Sequence, residues 1–425
     1  MKPIGLKVVD NLAYLGKYSL DVLANTYQTP LYVFDESQLE KNITDYLTSF
    51  TSKNFKTTVV YASKAFLTKE FVKYISKYSL SMDAVSLGDM FIANESGFDM
   101  SKIVLHGNNK SIEELEYAIN SNVGLIVVDN LYELKMLNDT TKKYNKQVNI
   151  LFRINPNIDA HTHKYIQTSN MESKFGTNIC DEKEIEKLIN LVKTNPLLNL
   201  KGIHAHIGSQ IFEKEAFVLE SNKLIEFVNS LNERFDLNLN ILNLGGGFGI
   251  KYLESDQVVS ICEMMNCLVN NIEKNLCITN SKINHIMIEP GRSIVGNAGI
   301  TLYTISQIKK TFGKKAYLFI DGGMADNIRP ALYDALYSVD VAGKMNSLKD
   351  TLVDVVGKCC ESGDIIRRDT YIPQVESGDH LIVYSTGAYN YTMSSNYNSL
   401  LRPAVILVGS SIKVLKERQT LEELI

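Results

Sequence analysis

The chain has 425 residues, 44 basic and 48 acidic side chains and a formal charge of -4, with no basic run of the kind a nucleic-acid groove requires. At about two to three times the usual domain length, it has room for a large barrel plus a smaller domain. The opening MKPIGLKVVDN lacks the apolar stretch of a signal peptide, and no later segment reaches the roughly 18 apolar residues of a membrane span. The expectation is therefore a cytoplasmic protein with a small-molecule partner and neither nucleic acid nor membrane.

TPLYVFDE (29–36) reads as a first strand. Between residues 57 and 290, eight short apolar runs then alternate with amphipathic stretches: TTVVYA (57–62), SMDAV (81–85), KIVLHG (102–107), GLIVVD (124–129), NILFRI (149–154), KGIHAHIG (201–208), NILNLG (240–245) and HIMIEP (285–290). The intervening SIEELEYAI predicts a helix, with Ser111 and Glu114 at capping-box spacing and Ile112, Leu115, Ala118 and Ile119 as its apolar stripe. Eight β-then-α units predict a (β/α)8 barrel, with an open doubly wound sheet as the alternative. Polar residues gather at the C-terminal ends of the runs, which a barrel brings to one mouth: Lys64, Ser86, His106, Asp129, Asn155, His206, Gly245–Gly247 and Glu289. Beyond 291, TLYTISQI, AYLFID, TLVDVVG, DTYIPQV, DHLIVYS, AVILVG and SIKVL alternate apolar and polar residues between turns, which is an all-β pattern. The expected domains are a barrel over 36–290 and a β domain combining 1–35 with 291–425.

In YASKA, Lys64 follows the first barrel strand in an apolar context expected to desolvate its amine, as Schiff-base lysines require, although taken alone most lysines are ordinary surface ones. GGGFG (245–249) offers bare backbone amides to a phosphate, or is a glycine turn. EPGRS (289–293) presents a carboxylate, a turn and a cation, or a salt-bridged loop. HAHIGSQ (204–210) alternates His204 and His206 on one strand, so both rings should face the same side, a spacing that metal-dependent barrel hydrolases also use. The other histidines make no recognisable ligand set with acids, and catalytic zinc takes three protein ligands, so no metal is expected. In IRPALY, Arg329 with Tyr333 four residues on could hold a carboxylate or form an interface pair; Tyr389 lies in the hydroxyl-rich turn GAYNYTMSSNYN (387–398).

KCCESGD (358–364) sets two thiols beside Glu361. The six cysteines form no CxxC pair and no Cys/His zinc spacing, and adjacent cysteines strain to bridge, so neither disulfide nor metal is expected of them.

Taken in order, YASKA, HGNNK (106–110), NPNIDAHTHKYI (155–166), SKFG (173–176), HIGSQ, GGGFG, EPGRSI, IRPALY, CESGD and GAY with MSSNYN resemble the diaminopimelate decarboxylases, a branch of the barrel-type pyridoxal-phosphate decarboxylases. The resemblance spans nearly the whole chain and implies a pyridoxal 5'-phosphate enzyme with an alanine-racemase-like barrel and a β domain built from both ends of the chain. It implies that Lys64 holds the cofactor as a Schiff base, Glu289 faces the ring nitrogen and His206 stacks on the ring. Ser209, Gly245, Gly246, Gly247 and the backbone around Gly291 and Arg292 would bind the phosphate, with Tyr389 adding a hydroxyl near phosphate and substrate. Arg292, Arg329 and Tyr333 would grip the distal carboxylate of the substrate and Glu361 its distal ammonium. Cys360 would be the proton donor, reaching in from the neighbouring subunit of a homodimer, with Cys359 its packing neighbour; a thiol's ordinary pKa lies close enough to neutrality for that task. The implied reaction converts meso-2,6-diaminopimelate to L-lysine and CO2. The rivals are a sister decarboxylase of another basic amino acid (D-ornithine, D-lysine, arginine or carboxynorspermidine), an amino-acid racemase, a metal-dependent hydrolase and a non-catalytic paralogue. Lys358 and Cys359, VSLGD and DGGMAD depart from the family's usual pattern without removing a group assigned above.

Overall fold

A computed structural model describes residues 2–158, 173–313 and 315–425. The HTHKYI part of the NPNIDAHTHKYI motif, with His161 and His163, lies outside the described residues. The chain divides into two units: residues 44–249 with 258–291, and residues 1–43 with 250–257 and 292–425.

The first unit is a closed barrel of eight parallel strands, β1 (Lys56–Tyr61), β2 (Ser81–Ala84), β3 (Ile103–Leu105), β4 (Leu125–Val128), β5 (Val148–Asn155), β6 (Leu198–His204), β7 (Ile241–Asn243) and β8 (His285–Ile288). Closure is made by β8 pairing with β1 (His285 opposite Lys56) and β4 with β5 (Ile126 opposite Ile150). All eight predicted runs are strands, and helices fill the intervals. The predicted capping box is present: Glu114 N–H donates to Ser111 Oγ at 3.1 Å, and Ser111 N–H donates to Glu114 Oε2 at 2.8 Å. Leu115, Ala118 and Ile119 are buried as expected, but Ile112 is 55% exposed. It opens the helix, and a helical side chain leans toward the N-terminus, so it projects beyond the turn that packs.

Strand alternation sorts the barrel interior into layers. Val60, Val104, Val127, Leu151 and Met287 meet as an apolar middle layer. Two residues further along the same rows stand Ala62, His106, Asp129, Arg153 and Glu289, at the C-terminal mouth. Two residues back stand Thr58, Leu125, Asn149 and His285, at the N-terminal mouth, where Lys102 closes the short helical turn Met100–Lys102 before β3.

The second unit is mainly antiparallel sheet. Its central strand Gly299–Lys310 pairs with Leu31–Asp35 (Gly299 opposite Phe34), and Leu31–Asp35 pairs in parallel with Ala404–Val408 (Leu31 opposite Ala404). The N-terminal strand thus completes the C-terminal sheet, because Leu31 and Val33 are buried in one apolar cluster with Ile300, Leu302 and Ile406. Among the described residues no helix is long and apolar enough to cross a membrane.

Candidate active site

The C-terminal mouth of the barrel is organised around Glu289, one residue past β8 and 7% exposed. Its Oε1 accepts from His106 Nε2 at 2.8 Å and Asn243 Nδ2 at 2.7 Å, and its Oε2 accepts from His204 Nε2 at 3.2 Å. Burial alone would raise this carboxyl, but the facing His106 and His204 and the hydrogen bonds they donate hold it well below the usual carboxylate range. Burial drives His204 the other way, to about 3 in spite of Glu289, so a neutral imidazole meets an ionised carboxylate. The ligand atoms of His106, His204 and Glu289 lie within 4.8 Å of one another. The expectation that no His/acid set would assemble is therefore corrected: three strand ends far apart in sequence bring one together, and its hydrogen bonds account for the convergence. The paired orientation expected of His204 and His206 is corrected too. β6 ends at His204, so alternation stops there, and His206 Nδ1 instead accepts from Gly246 N–H at 3.2 Å.

Lys64 sits in the short helical turn Ser63–Ala65 just after β1. It is exposed, contrary to the expected desolvation: the turn buries Ser63 and Ala65 on either side and lifts the lysine outward. Its ammonium acts on two neighbours. Asp83, fully buried on β2, is raised to about 6 by burial, against the opposing pull of Lys64 and His106, while its Oδ1 accepts from Ser63 N–H at 2.5 Å. His206 is held well below its ordinary pKa, first by burial and then by Lys64.

The glycines are required by close approach. A Cβ on Gly246 would stand 2.0 Å from the Glu289 carbonyl oxygen, one on Gly247 (φ +111°) 2.3 Å from that of Gly208, and one on Gly291 2.8 Å from Ala62 Cβ. Gly245 N–H donates to Asn243 Oδ1 at 2.9 Å and Gly246 N–H to His206, so two of the three amides expected to meet a phosphate already have protein acceptors. Ser209 is half-buried in the turn following β6.

HGNNK and SKFG prove to be supports. Lys110 Nζ donates to Glu133 Oε1 at 2.8 Å and to the carbonyls of Val127 and Gly107, locking the loop after β3 to β4. Asp129 Oδ1 accepts from Gly176 N–H at 3.0 Å, and Arg153 lies 4.3 Å over the Phe175 ring, which docks SKFG on the ends of β4 and β5.

In the other unit the two expected arginines share one phenol. Arg292 Nη1 donates to Tyr252 Oη at 2.7 Å, and Arg329 Nη1 donates to the same oxygen at 3.0 Å and to Tyr337 Oη at 2.6 Å. Burial would raise the Tyr252 phenol, but the two guanidinium groups outweigh it and lower it. Arg329 finds its hydroxyl eight residues on, at Tyr337. Tyr333 gives it only a ring, 5.9 Å away, because the helix Arg329–Tyr333 ends at Asp334 in a left-handed turn that folds the chain back. Tyr389 lies 4.9 Å beneath Arg292 at φ +60°, a conformation that a bulky side chain adopts at a cost and that recurs at functional sites.

The two thiols lie in different surroundings. Cys359 is buried, its N–H donates to Asp364 Oδ2 at 2.8 Å, and burial followed by the Asp364 charge raises its thiol to about 11. Cys360 is exposed beside exposed Glu361, and its N–H donates to Asn398 Oδ1 of MSSNYN at 2.7 Å.

Sequence reading overlooked Asp83, Asn243, Tyr252, Tyr337, Asp364 and Asn398. Asp83 and Asn243 carried a usable signal, a polar group inside an apolar strand on the inward-facing row. Tyr252 and Tyr337 carried none, since only the fold brings them to the arginines.

The pattern of the family described as "Pyridoxal-dependent decarboxylase, pyridoxal binding domain" matches residues 36–296. A diaminopimelate decarboxylase of Bacillus subtilis (strain 168) is 41% identical over 405 residues, covering 95% of this chain and 92% of the relative. One from Staphylococcus aureus (strain COL) is 41% identical over 410 residues, covering 96% and 95%. Among solved structures, diaminopimelate decarboxylase from M. jannaschii in co-complex with L-lysine is similar with a TM-score of 0.93 at 32% identity, covering 100% of this chain and 98% of that one. The Helicobacter pylori enzyme complexed with L-lysine has a TM-score of 0.86 at 30% identity, covering 95% and 97%.

Proposed function

The chain belongs to the pyridoxal-dependent decarboxylases, and from that membership we propose that it removes CO2 from the D-configured centre of meso-2,6-diaminopimelate to give L-lysine. The observation that carries the substrate is the likeness, over nearly the full length of both chains, to decarboxylases of that name.

The residues at the barrel mouth fit the cofactor. A buried carboxylate kept ionised by imidazoles suits a cationic ring nitrogen, and three strand ends fix its direction. Glu289 would hold the proton on that nitrogen, Lys64 would bind through its amine, and His206, neutral, would cover the ring face. Gly247, Gly291, Ser209 and Arg292 would serve the phosphate, with Gly245 and Gly246 shaping the turn and Tyr389 adding its hydroxyl. When bound, pyridoxal phosphate supplies the electron sink for the pair left behind as CO2 departs. Arg292 and Arg329, held in one orientation by Tyr252 and Tyr337, form a fixed cationic pair suited to a carboxylate, which supports their reading of the distal end of the substrate, with Tyr333 beside them and Glu361 taking the distal ammonium. Cys360 Sγ would deliver the proton that replaces CO2. Its exposure beside an exposed Glu361 supports a role completed by a second copy of the chain, hence a homodimer with shared sites, working in the cytoplasm on a soluble amino acid.

The test is CO2 release and product identification with meso-diaminopimelate, D-lysine, D-ornithine and L-arginine offered in parallel. Release from diaminopimelate alone with L-lysine formed is expected. Preference for a substrate lacking the second carboxylate would overturn the substrate assignment and the roles of Arg329 and Glu361.

A further inference from the structure

The N-terminal mouth of the barrel is chemically unlike the catalytic one. A cavity of about 580 Å³ opens there among the starts of β1, β2, β3, β4 and β8, and a second hollow of about 610 Å³ shares Lys56 and His285 with it. Neither is lined by a single carboxylate, yet between them they gather Lys53, Lys56, Lys102 and Lys201. Among the described residues none of these four ammonium groups has a carboxylate partner within ion-pair reach. Lys102 contributes to lowering the Asp99 carboxyl, behind the Ser101 hydroxyl, without pairing with it.

Lys56 stands on the inward-facing row of β1, on the same side as Val60, and Lys102, which ends the short helical turn Met100–Lys102 leading into β3, lines the same cavity. The apolar middle layer thus floors the cavity and separates it from Glu289. A barrel's N-terminal face ordinarily serves stability, for which apolar closure would suffice. Here the wall instead presents the Ser81 hydroxyl, and a Thr58 hydroxyl paired with His285 Nε2 at 2.8 Å, beside the ammonium groups. Such a lining keeps the Ser81 hydroxyl and the ammonium groups as donors, the Ser101 hydroxyl donating instead to Asp99 Oδ1 at 2.6 Å. Like charges gathered over a low-dielectric floor concentrate a positive potential. That potential registers on His285, lowered to about 4 by burial and then by Lys56, so the imidazole is neutral and the lysines are the cations. The volume is that of a small-molecule site.

We propose that the N-terminal mouth of the barrel binds a small multivalent oxyanion, a phosphate ester or a polycarboxylate, with Lys56 and Lys102 meeting its charges and Ser81 donating to its oxygens. The site is separate from the catalytic mouth, and its test does not depend on the substrate proposed above.

Calorimetric titration of the full-length, pyridoxal-phosphate-loaded enzyme with sodium pyrophosphate, and separately with sodium citrate, at ionic strength held constant by sodium chloride, decides it. One saturable site per chain is expected, and the tighter probe tells a phosphate from a carboxylate ligand. Lys56→Gln/Lys102→Gln should weaken that site at least ten-fold while leaving anion-free decarboxylation unchanged. Both lysines are exposed, so the variant should fold; Lys102→Gln alone provides a milder second variant expected to weaken binding several-fold. Heats that fail to saturate with either probe, or equal affinity in wild type and the double variant, would overturn the proposal. As an independent readout, the His285 imidazole should titrate at higher pH with the anion bound, because the positive potential that lowers it would be neutralised.

Discussion

The catalytic mouth of the barrel and the helix Lys214–Phe235 outside it each bury a glutamate completely or nearly so, and treat it in opposite ways. Glu289 accepts hydrogen bonds from His106, His204 and Asn243 and is held ionised. Glu220 is 0% exposed, neither of its oxygens has a hydrogen-bond partner among the described residues, and burial raises its carboxyl well above the ordinary value. Burial pushes both the same way; partners alone reverse the outcome. A buried carboxylate surrounded by donors marks chemistry, and one without them is a cost to stability.

Lys64→Ala sets the scale for what losing the reactive group does: turnover should fall by about 10³-fold or more, and the borohydride-reducible link to the cofactor should vanish. A retained reducible link would reassign the lysine. Next in size, Cys360→Ala should lower turnover by about 10²–10⁴-fold, whereas Cys359→Ala, which removes a buried thiol, should cost mainly stability. Equal effects on turnover would end the division of labour between exposed and buried thiol. Mixing inactive Lys64→Ala and Cys360→Ala chains should restore about a quarter of wild-type activity by random pairing if sites are shared in a dimer. No recovery despite mixed-dimer formation would exclude sharing.

The two glutamates then test each other. Glu289→Gln preserves shape and removes the charge, and should lower turnover by about 10²–10³-fold, the range for losing one aligned electrostatic group. Glu220→Gln should leave turnover intact, and Glu220→Leu should raise stability by about 1–3 kcal/mol, the penalty of a buried unsatisfied group. Their pH dependences should differ in sign. Glu220 keeps its proton in the folded chain but loses it near 4.5 when unfolded, so the pH-dependent part of its destabilisation is absent below about 4.5 and grows as pH rises toward the folded value. Glu289 is depressed on folding, so the stability it contributes is present above about 4.5 and is lost as pH falls through its folded value. The Glu220→Leu gain in melting temperature should therefore be larger at pH 8 than at pH 4; a gain independent of pH would mean that Glu220 is hydrated or paired in solution.

Much of the fold was legible because it rests on local periodicity. The eight apolar runs all became barrel strands, and TPLYVFDE joined the C-terminal sheet because its apolar residues needed that cluster. Asp364 and Asn398 accept from the Cys359 and Cys360 amides in turn, with the first thiol buried and the second exposed. Legibility failed where a side chain's partner came from a distant strand. His106 read as one of the polar residues at the mouth, with no partner assigned, and proved to be a donor to Glu289, 183 residues away. His204 and His206 read as a pair and were parted by the end of β6. Tyr252 had no motif, yet it aligns both arginines.

The amino-acid sequence by itself determined the barrel, the second sheet and the residue types that do the chemistry, because strand alternation, helix capping and glycine placement act over a few residues and leave periodic traces. Only the tertiary structure decided which carboxylate is ionised and which is neutral, which lysine is exposed, and that four lysines scattered from residue 53 to 201 line two adjoining hollows at one mouth. Those properties are sums of burial and charge over neighbours that the chain brings together from far apart, and they leave no trace along its length.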